Sequence, residues 1–240
     1  MENNIFQRHE IKFLADSRQR AYMEQVFADT MIPDPHGEST ICNVYYDTPD
    51  YRLVRQSQEK PVYKEKLRMR SYGRVSGGDA VFLELKKKYK GVVYKRRISL
   101  TEQEAQAYMN GLAPLPEDSQ IGREIEYFRR YYRDLRPAVY LCYDRCAYYA
   151  KDDPELRATF DKNICWRDTA MRLTARPGGE HLLLPRQSLL EIKTAGAIPM
   201  WLVEALDRAE IRHVSFSKYG EAYTIMNERT KQERGGVFCA

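Results

Sequence analysis

KPVYKEKLRMRSYG, residues 60–73, alternates charge in step with the pleat of a β-strand. Successive side chains of a strand point to opposite faces. Lys64, Lys66, Arg68 and Arg70 therefore share one face, with Tyr63, Leu67 and Met69 on the other and Glu65 between them. Cations two residues apart on a strand lie roughly 7 Å apart and repel by ~0.6 kcal/mol in water, several-fold more in a sheltered site. Four in a row are tolerable only where the face is open to solvent or meets anions.

The same grammar recurs on both sides of this segment. In RHEIKF, Arg8, Glu10 and Lys12 oppose His9, Ile11 and Phe13. Glu84, Lys86 and Lys88 oppose Val81, Leu83 and Leu85, while Lys95, Arg97 and Ser99 oppose Tyr94, Ile98 and Leu100. Arg157, Thr159 and Asp161 oppose Leu156, Ala158 and Phe160, and Glu191 and Lys193 oppose Leu190 and Ile192. Glu-x-Lys thus appears on separate strands at Glu10/Lys12, Glu84/Lys86 and Glu191/Lys193.

Period-two runs predict strands over about 5–13, 41–47, 60–73, 80–89, 92–100, 138–150, 156–165 and 188–195. Lys90-Gly91 reads as a tight hairpin turn. Asp16 can cap a helix to about Thr30, and Thr101 with Glu104 makes a capping box ahead of a helix to about Asn110. Further helices are expected at Gln120–Leu135, from Pro199 in a first turn to about Glu210, and at Phe216–Arg229. Residues 175–187, with Gly178-Gly179, read as a loop. Many strands and few intervening helices predict an α+β fold, an antiparallel eight-stranded β-barrel with flanking helices. The interior of such a barrel is just wide enough for side chains or one slender ligand.

A barrel apolar inside and wet outside would show the same alternation. Two features favour a polar wall turned inward. The helices have apolar faces, such as Tyr22, Val26 and Phe27, that need a sheet surface to cover. The polar strand faces carry Arg and Lys with isolated carboxylates, not the mixed residues of a plain solvent face. Such a wall suits phosphates, since Arg offers forked donors and Lys a compact charge. Interspersed carboxylates can hold a hard divalent cation that bridges phosphate oxygens, with Glu10, Glu84 and Glu191 as candidates, or can pair locally with lysines.

Composition narrows the classes. With 39 basic and 34 acidic residues the net charge is only +5, so the 240-residue chain is no generic polycation. The five cysteines form no C-x-x-C pair and are odd in number, which disfavours a zinc ribbon or a disulfide framework and reads as small core or surface residues in a reducing cytoplasm. The four histidines show no ligand spacing. No apolar run approaches the ~20 residues of a membrane span. One domain is expected over residues 1–240, with about the last ten as a tail.

Eight short motifs, in order from about residue 5 to 228, carry a resemblance: Arg-x-Glu-x-Lys at 8–12, Tyr-Tyr-Asp-Thr at 45–48, Leu-Arg-Met-Arg at 67–70, Leu-Glu-Leu-Lys at 83–86, Tyr-Asp-Arg at 143–145, Leu-Arg-Ala-Thr-Phe-Asp at 156–161, Leu-Glu-Ile-Lys at 190–193 and Phe-Ser-Lys-Tyr-Gly at 216–220. As a set they resemble the catalytic domain of VTC-type polyphosphate polymerases, within the triphosphate tunnel metalloenzyme, or CYTH-like, superfamily. The resemblance implies a tunnel that binds ATP, passes its γ-phosphoryl group to a growing polyphosphate chain, and needs Mn²⁺ or Mg²⁺. Lys12, Arg68, Arg70, Lys86, Arg97, Tyr143, Arg145, Arg157, Ser217 and Lys218 match the family's phosphate-contacting positions, and Glu191 its metal-binding carboxylate. Lys95 shares a face with Arg97 and could take its place.

The expected catalytic set is therefore Arg68, Arg70, Lys86, Arg145, Arg157 and Lys218. Arg8, Lys12, Lys64, Lys66, Lys95, Arg97, Tyr143, Lys193 and Ser217 would hold phosphate, and Glu191, Glu10 and Glu84 a metal ion. Hydrolysing members of the superfamily usually open with Glu-x-Glu-x-Lys, and Arg8 replaces the first Glu here. That change weakens a second metal site and favours another phosphate, so transfer becomes more plausible than hydrolysis. Eukaryotic members of the family add a regulatory domain and membrane helices, neither visible here, which leaves a lone catalytic domain or one with a separate membrane partner. An inorganic triphosphatase or nucleoside triphosphatase is the first alternative. A non-catalytic binder of RNA or polyphosphate is the second; nucleic acid is not expected, because Tyr63 and Tyr94 fall opposite the bases instead of beside them.

Overall fold

Period-two patterning does produce strands, and the computed structural model describes residues 5–6, 9–90 and 92–235. The chain opens with β1 (Ile5–Phe6), β2 (His9–Ala15), α1 (Ser17–Thr30), β3 (Met31–Pro33), β4 (Ser39–Asp47) and α2 (Arg52–Gln58). It continues through β5 (Tyr63–Tyr72), β6 (Ala80–Tyr89), β7 (Val92–Thr101), α3 (Glu102–Met109) and α4 (Gln120–Tyr132). The last part holds β8 (Arg136–Ala150), β9 (Arg157–Arg167), β10 (Glu180–His181), β11 (Ser188–Thr194), α5 (Met200–Arg208) and α6 (Lys218–Gly235).

The strands pair antiparallel in the order β1-β7-β6-β5-β4-β8-β9-β11-β2, with short β3 and β10 added to β8 and β9. Eight of them, β2, β4 to β9 and β11, are long, which matches the predicted number. The path begins and ends on β1 and β2, neighbours in sequence, so the two margins of the sheet come together and the sheet rolls into a tunnel. Glu10 of β2 reaches Lys86 of β6 at 3.6 Å. The ladder itself stays open between β1 and β2 among the described residues.

Aliphatic strand faces point outward under the helices. Leu67, Met69, Leu83 and Leu85 pack with Tyr108 of α3 and Ile125 and Phe128 of α4. Phe13, Ala158, Phe160, Leu190 and Ile192 pack with Met23 and Phe27 of α1 and Leu202 and Leu206 of α5. Because that apolar surface is spent on the helices, the opposite faces meet one another across the lumen, and they carry the charges. Among the described residues no helix is long and apolar enough to cross a membrane.

Several boundaries depart from expectation for local reasons. The run at 5–13 is two strands on opposite margins, since Ile5 and Phe6 pair with β7 while His9 to Ala15 pair with β11. Pro199 sits at the N-cap of α5 (φ −63°, ψ 149°), one residue ahead of the first turn. Glu180 and His181, inside the expected loop, pair with β9. Tyr89 and Val92 pair across the predicted hairpin and Lys90 takes φ 46°, as a tight turn requires, while Gly91 lies outside the described residues. α2 is an addition with no strong local signal: Tyr51 at its N-cap has φ 57° and offers no side-chain bond. Asp47 does that work from outside the helix, accepting from the N–H groups of Leu53 (2.8 Å) and Val54 (3.0 Å).

Candidate functional site

Register sets the charges against one another. Lys66 of β5 lies opposite Lys86 of β6, which lies opposite Lys95 of β7, and Lys193 of β11 lies opposite Arg157 of β9. Like charges directly opposite are destabilising, so such an arrangement is kept for what it binds. Two groups of carboxylates hold it together.

Glu84, only 2% exposed, is the first. It accepts from Arg68 Nε at 2.8 Å, lies 2.9 Å from Lys95 Nζ, and has Arg97 at 3.7 Å and Arg70 at 3.8 Å. Burial alone would raise its pKa, but Arg68, Arg70 and Lys95 outweigh that and hold it far below the usual carboxylate range. The second group is Glu191 with Asp161. Arg145 grips Asp161 with two parallel bonds of 2.6 and 2.7 Å, and Lys218 lies 2.5 Å from Asp161 and 2.9 Å from Glu191. Lys12 and Lys193 stand 3.6 and 3.9 Å from Glu191. Burial opposes ionisation of both acids, yet Lys218 and Arg145, with Lys12 at Glu191, keep both strongly acidic.

Neutral groups aim the cations. Asn43 donates to the Leu141 carbonyl at 3.3 Å, which turns its amide oxygen to accept from Arg70 Nε at 2.9 Å; Arg70 also donates to the Tyr143 hydroxyl at 3.1 Å. Arg68 donates to Tyr45 Oη at 3.0 Å. Partial burial of Tyr45 would raise its pKa, but Arg68, Lys66 and Arg70 bring it down to about 8. Lys66 donates to Ser217 Oγ at 3.2 Å, and that oxygen also accepts from the Gly220 N–H in the first turn of α6.

These groups line a cavity of about 1020 Å³ that ten Lys and Arg share with four carboxylates. Lys12, Lys66, Arg68, Arg70, Lys86, Lys95, Tyr143, Arg145, Arg157, Lys193, Ser217 and Lys218 all face it, as do Glu10, Glu84 and Glu191. A second cavity of about 740 Å³ shares Glu10, Lys12, Lys66, Lys86 and Ser217 with the first, so the two form one passage. Lys64 lines that second part. Arg97 sits beside the passage, its guanidinium 3.3 Å from the centroid of the Phe82 ring, and Lys95 takes the lining position on that strand. Arg8 lies outside the described residues.

A model of the VTC domain family matches residues 7–227. The chain belongs to the VTC domain family. Among solved structures, a proposed adenylate cyclase from Bacillus halodurans is similar at TM-score 0.56 and 15% identity, over 89% of this chain and 95% of that one. HpAC1 from Hippeastrum, a proposed adenylyl cyclase described as having a dominant triphosphatase activity, is similar at TM-score 0.50 and 16% identity, over 88% and 92%. At such identities these likenesses establish the fold alone. No curated protein matches the chain.

The VTC domain's acids differ in what they can still bind. Glu84 has Arg68 at 2.7 Å and Lys95 at 2.9 Å, one on each oxygen. Glu10 is the least tied, with Lys12 at 3.2 Å and Lys86 at 3.6 Å; burial disfavours its charge, but Lys86 and Lys12 hold its pKa near 2. Among the described residues no three His, Cys, Asp or Glu gather as a ligand set. One or two carboxylates completed by substrate phosphates are the usual holders of Mg²⁺, and Glu191 with neighbouring Glu10 fits that description.

Asp161, Tyr45, Asn43 and Thr159 belong to this site without having been singled out from sequence. Asp161 lies on the polar face of its strand, but only the register of β9 against β8 supplies its partner, Arg145. Thr159, 7% exposed, faces the cavity, and its hydroxyl has no hydrogen-bond partner among the described residues.

Proposed function

We propose that this VTC domain is a polyphosphate polymerase, transferring the γ-phosphoryl group of ATP to the end of a polyphosphate chain held along the basic passage. The observation that carries the reading is the wall itself: ten Lys and Arg converge on one cavity from seven strands and α6, against four carboxylates. Phosphoryl transfer needs little covalent chemistry from a protein, and catalysis is mostly positioning and neutralisation of charge. Arg68, Arg70 and Lys86 approach from β5 and β6, and Arg145, Arg157 and Lys218 from β8, β9 and α6. Together they would clamp the triphosphate from both sides and lower the cost of charge on its oxygens. Lys12, Lys64, Lys66, Lys95, Lys193, Tyr143 and Ser217 extend the contact along the passage.

Glu191 with Glu10 would hold Mn²⁺ or Mg²⁺. The ion, when bound, neutralises and bridges phosphate oxygens. A passage of two joined cavities supports a chain longer than one triphosphate, and Arg8 in place of the carboxylate usual in hydrolysing members supports transfer over hydrolysis.

Incubation of purified protein with ATP and Mn²⁺, resolved on a polyphosphate gel, tests this directly. Long chains and ADP are expected. Release of orthophosphate alone would instead assign a triphosphatase, the activity described for HpAC1. An Arg68→Ala/Arg70→Ala protein should lose ATP binding. If it retains ATP binding, the site lies elsewhere.

A further inference from the structure

Behind the tunnel wall, on the side covered by α3 and α4, Cys42, Cys142 and Cys165 stand side by side on β4, β8 and β9. Cys42 is the register partner of Cys142, and Cys142 of Cys165. Residues directly opposite in an antiparallel pair have Cα atoms about 4.5–5.5 Å apart, inside the range a disulfide spans. Sequence spacing hides this relation, since strand register, not a C-x-x-C motif, makes the pair.

The surroundings of Cys142 are built for a thiolate. The Gly178 N–H donates to Cys142 Sγ at 3.1 Å. That approach depends on the glycine pair: Gly179 has φ +150°, and a Cβ there would stand 2.2 Å from the Trp166 carbonyl oxygen. Arg167, stacked at 3.7 Å on the Tyr140 ring, adds positive charge nearby. On the other side, Cys165 Sγ lies 3.6 Å from His181 Nδ1. Three cysteines and a histidine also bring zinc to mind, but among the described residues they do not gather at metal-binding geometry.

We propose that Cys142 and Cys165 are a hydroperoxide-oxidisable dithiol, with Cys142 as the attacking sulfur and Cys165 as the resolving one. The neighbouring Cys165 thiol, aided by the Gly178 N–H and Arg167 against the cost of burial, brings the Cys142 thiol down to about 7. The thiolate is the nucleophilic form. Cys142 sulfur attacks one oxygen of hydrogen peroxide; the S–O bond forms, the O–O bond breaks, and the departing hydroxide takes a proton to become water. The sulfur is oxidised to sulfenic acid and the peroxide is reduced by the same two electrons. Cys165 then gives its proton to His181 and attacks the sulfenic sulfur; the S–S bond forms, the S–O bond breaks, and the hydroxide leaves as water. Both thiols are 4–7% exposed, which suits an oxidant the size of hydrogen peroxide.

The test is peptide mapping of the folded full chain after hydrogen peroxide, with remaining thiols alkylated under denaturing conditions. A disulfide joining the peptides of Cys142 and Cys165 is expected, with loss of two alkylatable thiols. In Cys165→Ser, dimedone should label Cys142 as a trapped sulfenic acid. The proposal is overturned if Cys142 and Cys165 remain fully alkylatable while Cys146 or Cys239 oxidises, or if the purified protein carries stoichiometric zinc released by thiol reagents. Because the wild-type map needs no variant, poor folding of Cys165→Ser leaves it decisive.

Discussion

Asp161 and Arg157 lie four residues apart on the same face of β9, yet substitution should separate them cleanly. Asp161 is fully buried and holds both Arg145 and Lys218. Removing one partner of a buried ion pair leaves uncompensated charge, at a cost of ~3–5 kcal/mol. Asp161→Asn should therefore lower the free energy of unfolding, read from a urea titration, by about that much. Arg157 makes a 3.4 Å contact with the Pro154 carbonyl and a 4.9 Å approach to Tyr149, and its charge also acts on Asp34. Arg157→Ala should leave stability within ~0.5 kcal/mol but weaken ATP binding about tenfold, or ~1.4 kcal/mol, by titration calorimetry. Equal destabilisation by the two substitutions would refute this division. The cations and the acids are legible in the sequence because charge alternation survives without coordinates; which cation each acid orients is not, because cross-strand register fixes the partners.

Protonation adds a second residue-level consequence. Burial pulls Lys66 and Lys193 down to about 8, Lys193 despite the opposing pull of Glu191 and Glu10. An anion raises both again, so binding at pH 8 should take up protons, and affinity should fall as pH rises above 8. Calorimetry in buffers of different ionisation enthalpy reads that uptake; a buffer-independent enthalpy at pH 8 would remove the argument.

Among the elements, α2 shows what sequence patterning misses. RLVRQSQ has only one apolar pair, Leu53 and Val54, and no capping side chain beside it. Its start is organised by Asp47, several residues upstream, whose buried carboxylate also accepts from the Thr48 N–H (2.8 Å) and the Tyr219 hydroxyl (2.8 Å). The Tyr-Tyr-Asp-Thr motif is thus a joint tying β4, α2 and α6 together, and Tyr219 follows Lys218 directly. Hydrogen bonds to a charged group contribute ~1.5–3 kcal/mol each. Asp47→Ala should cost at least ~3 kcal/mol and, by loosening the start of α6, reduce polyphosphate binding; an unchanged melting profile would disprove the joint. By contrast α1 and α3 were readable, because Asp16 with Gln19 and Thr101 with Glu104 complete their capping boxes within four residues.

For the whole molecule, the alternation of charge leaves one question that stability answers. A polar wall around a lumen and a polar outer skin give the same sequence, but they respond differently to anions. Ten cations facing one cavity repel one another across an enclosed space, and monovalent salt screens them only partly because the Debye length at 0.15 M, about 8 Å, applies poorly inside a protein. A linear polyanion that threads the passage touches both walls at once and binds only the folded state. Tripolyphosphate at a hundred times its dissociation constant should then stabilise the fold by ~2.7 kcal/mol, read as a rise in melting temperature, and a longer polyphosphate at equal phosphate concentration should act at lower dose. Sodium chloride at matched ionic strength should give a much smaller rise, and added to the complex it should lower the melting temperature by competing for the wall. If chloride and tripolyphosphate stabilise equally, the cations form an ordinary solvated face and no tunnel ligand is needed.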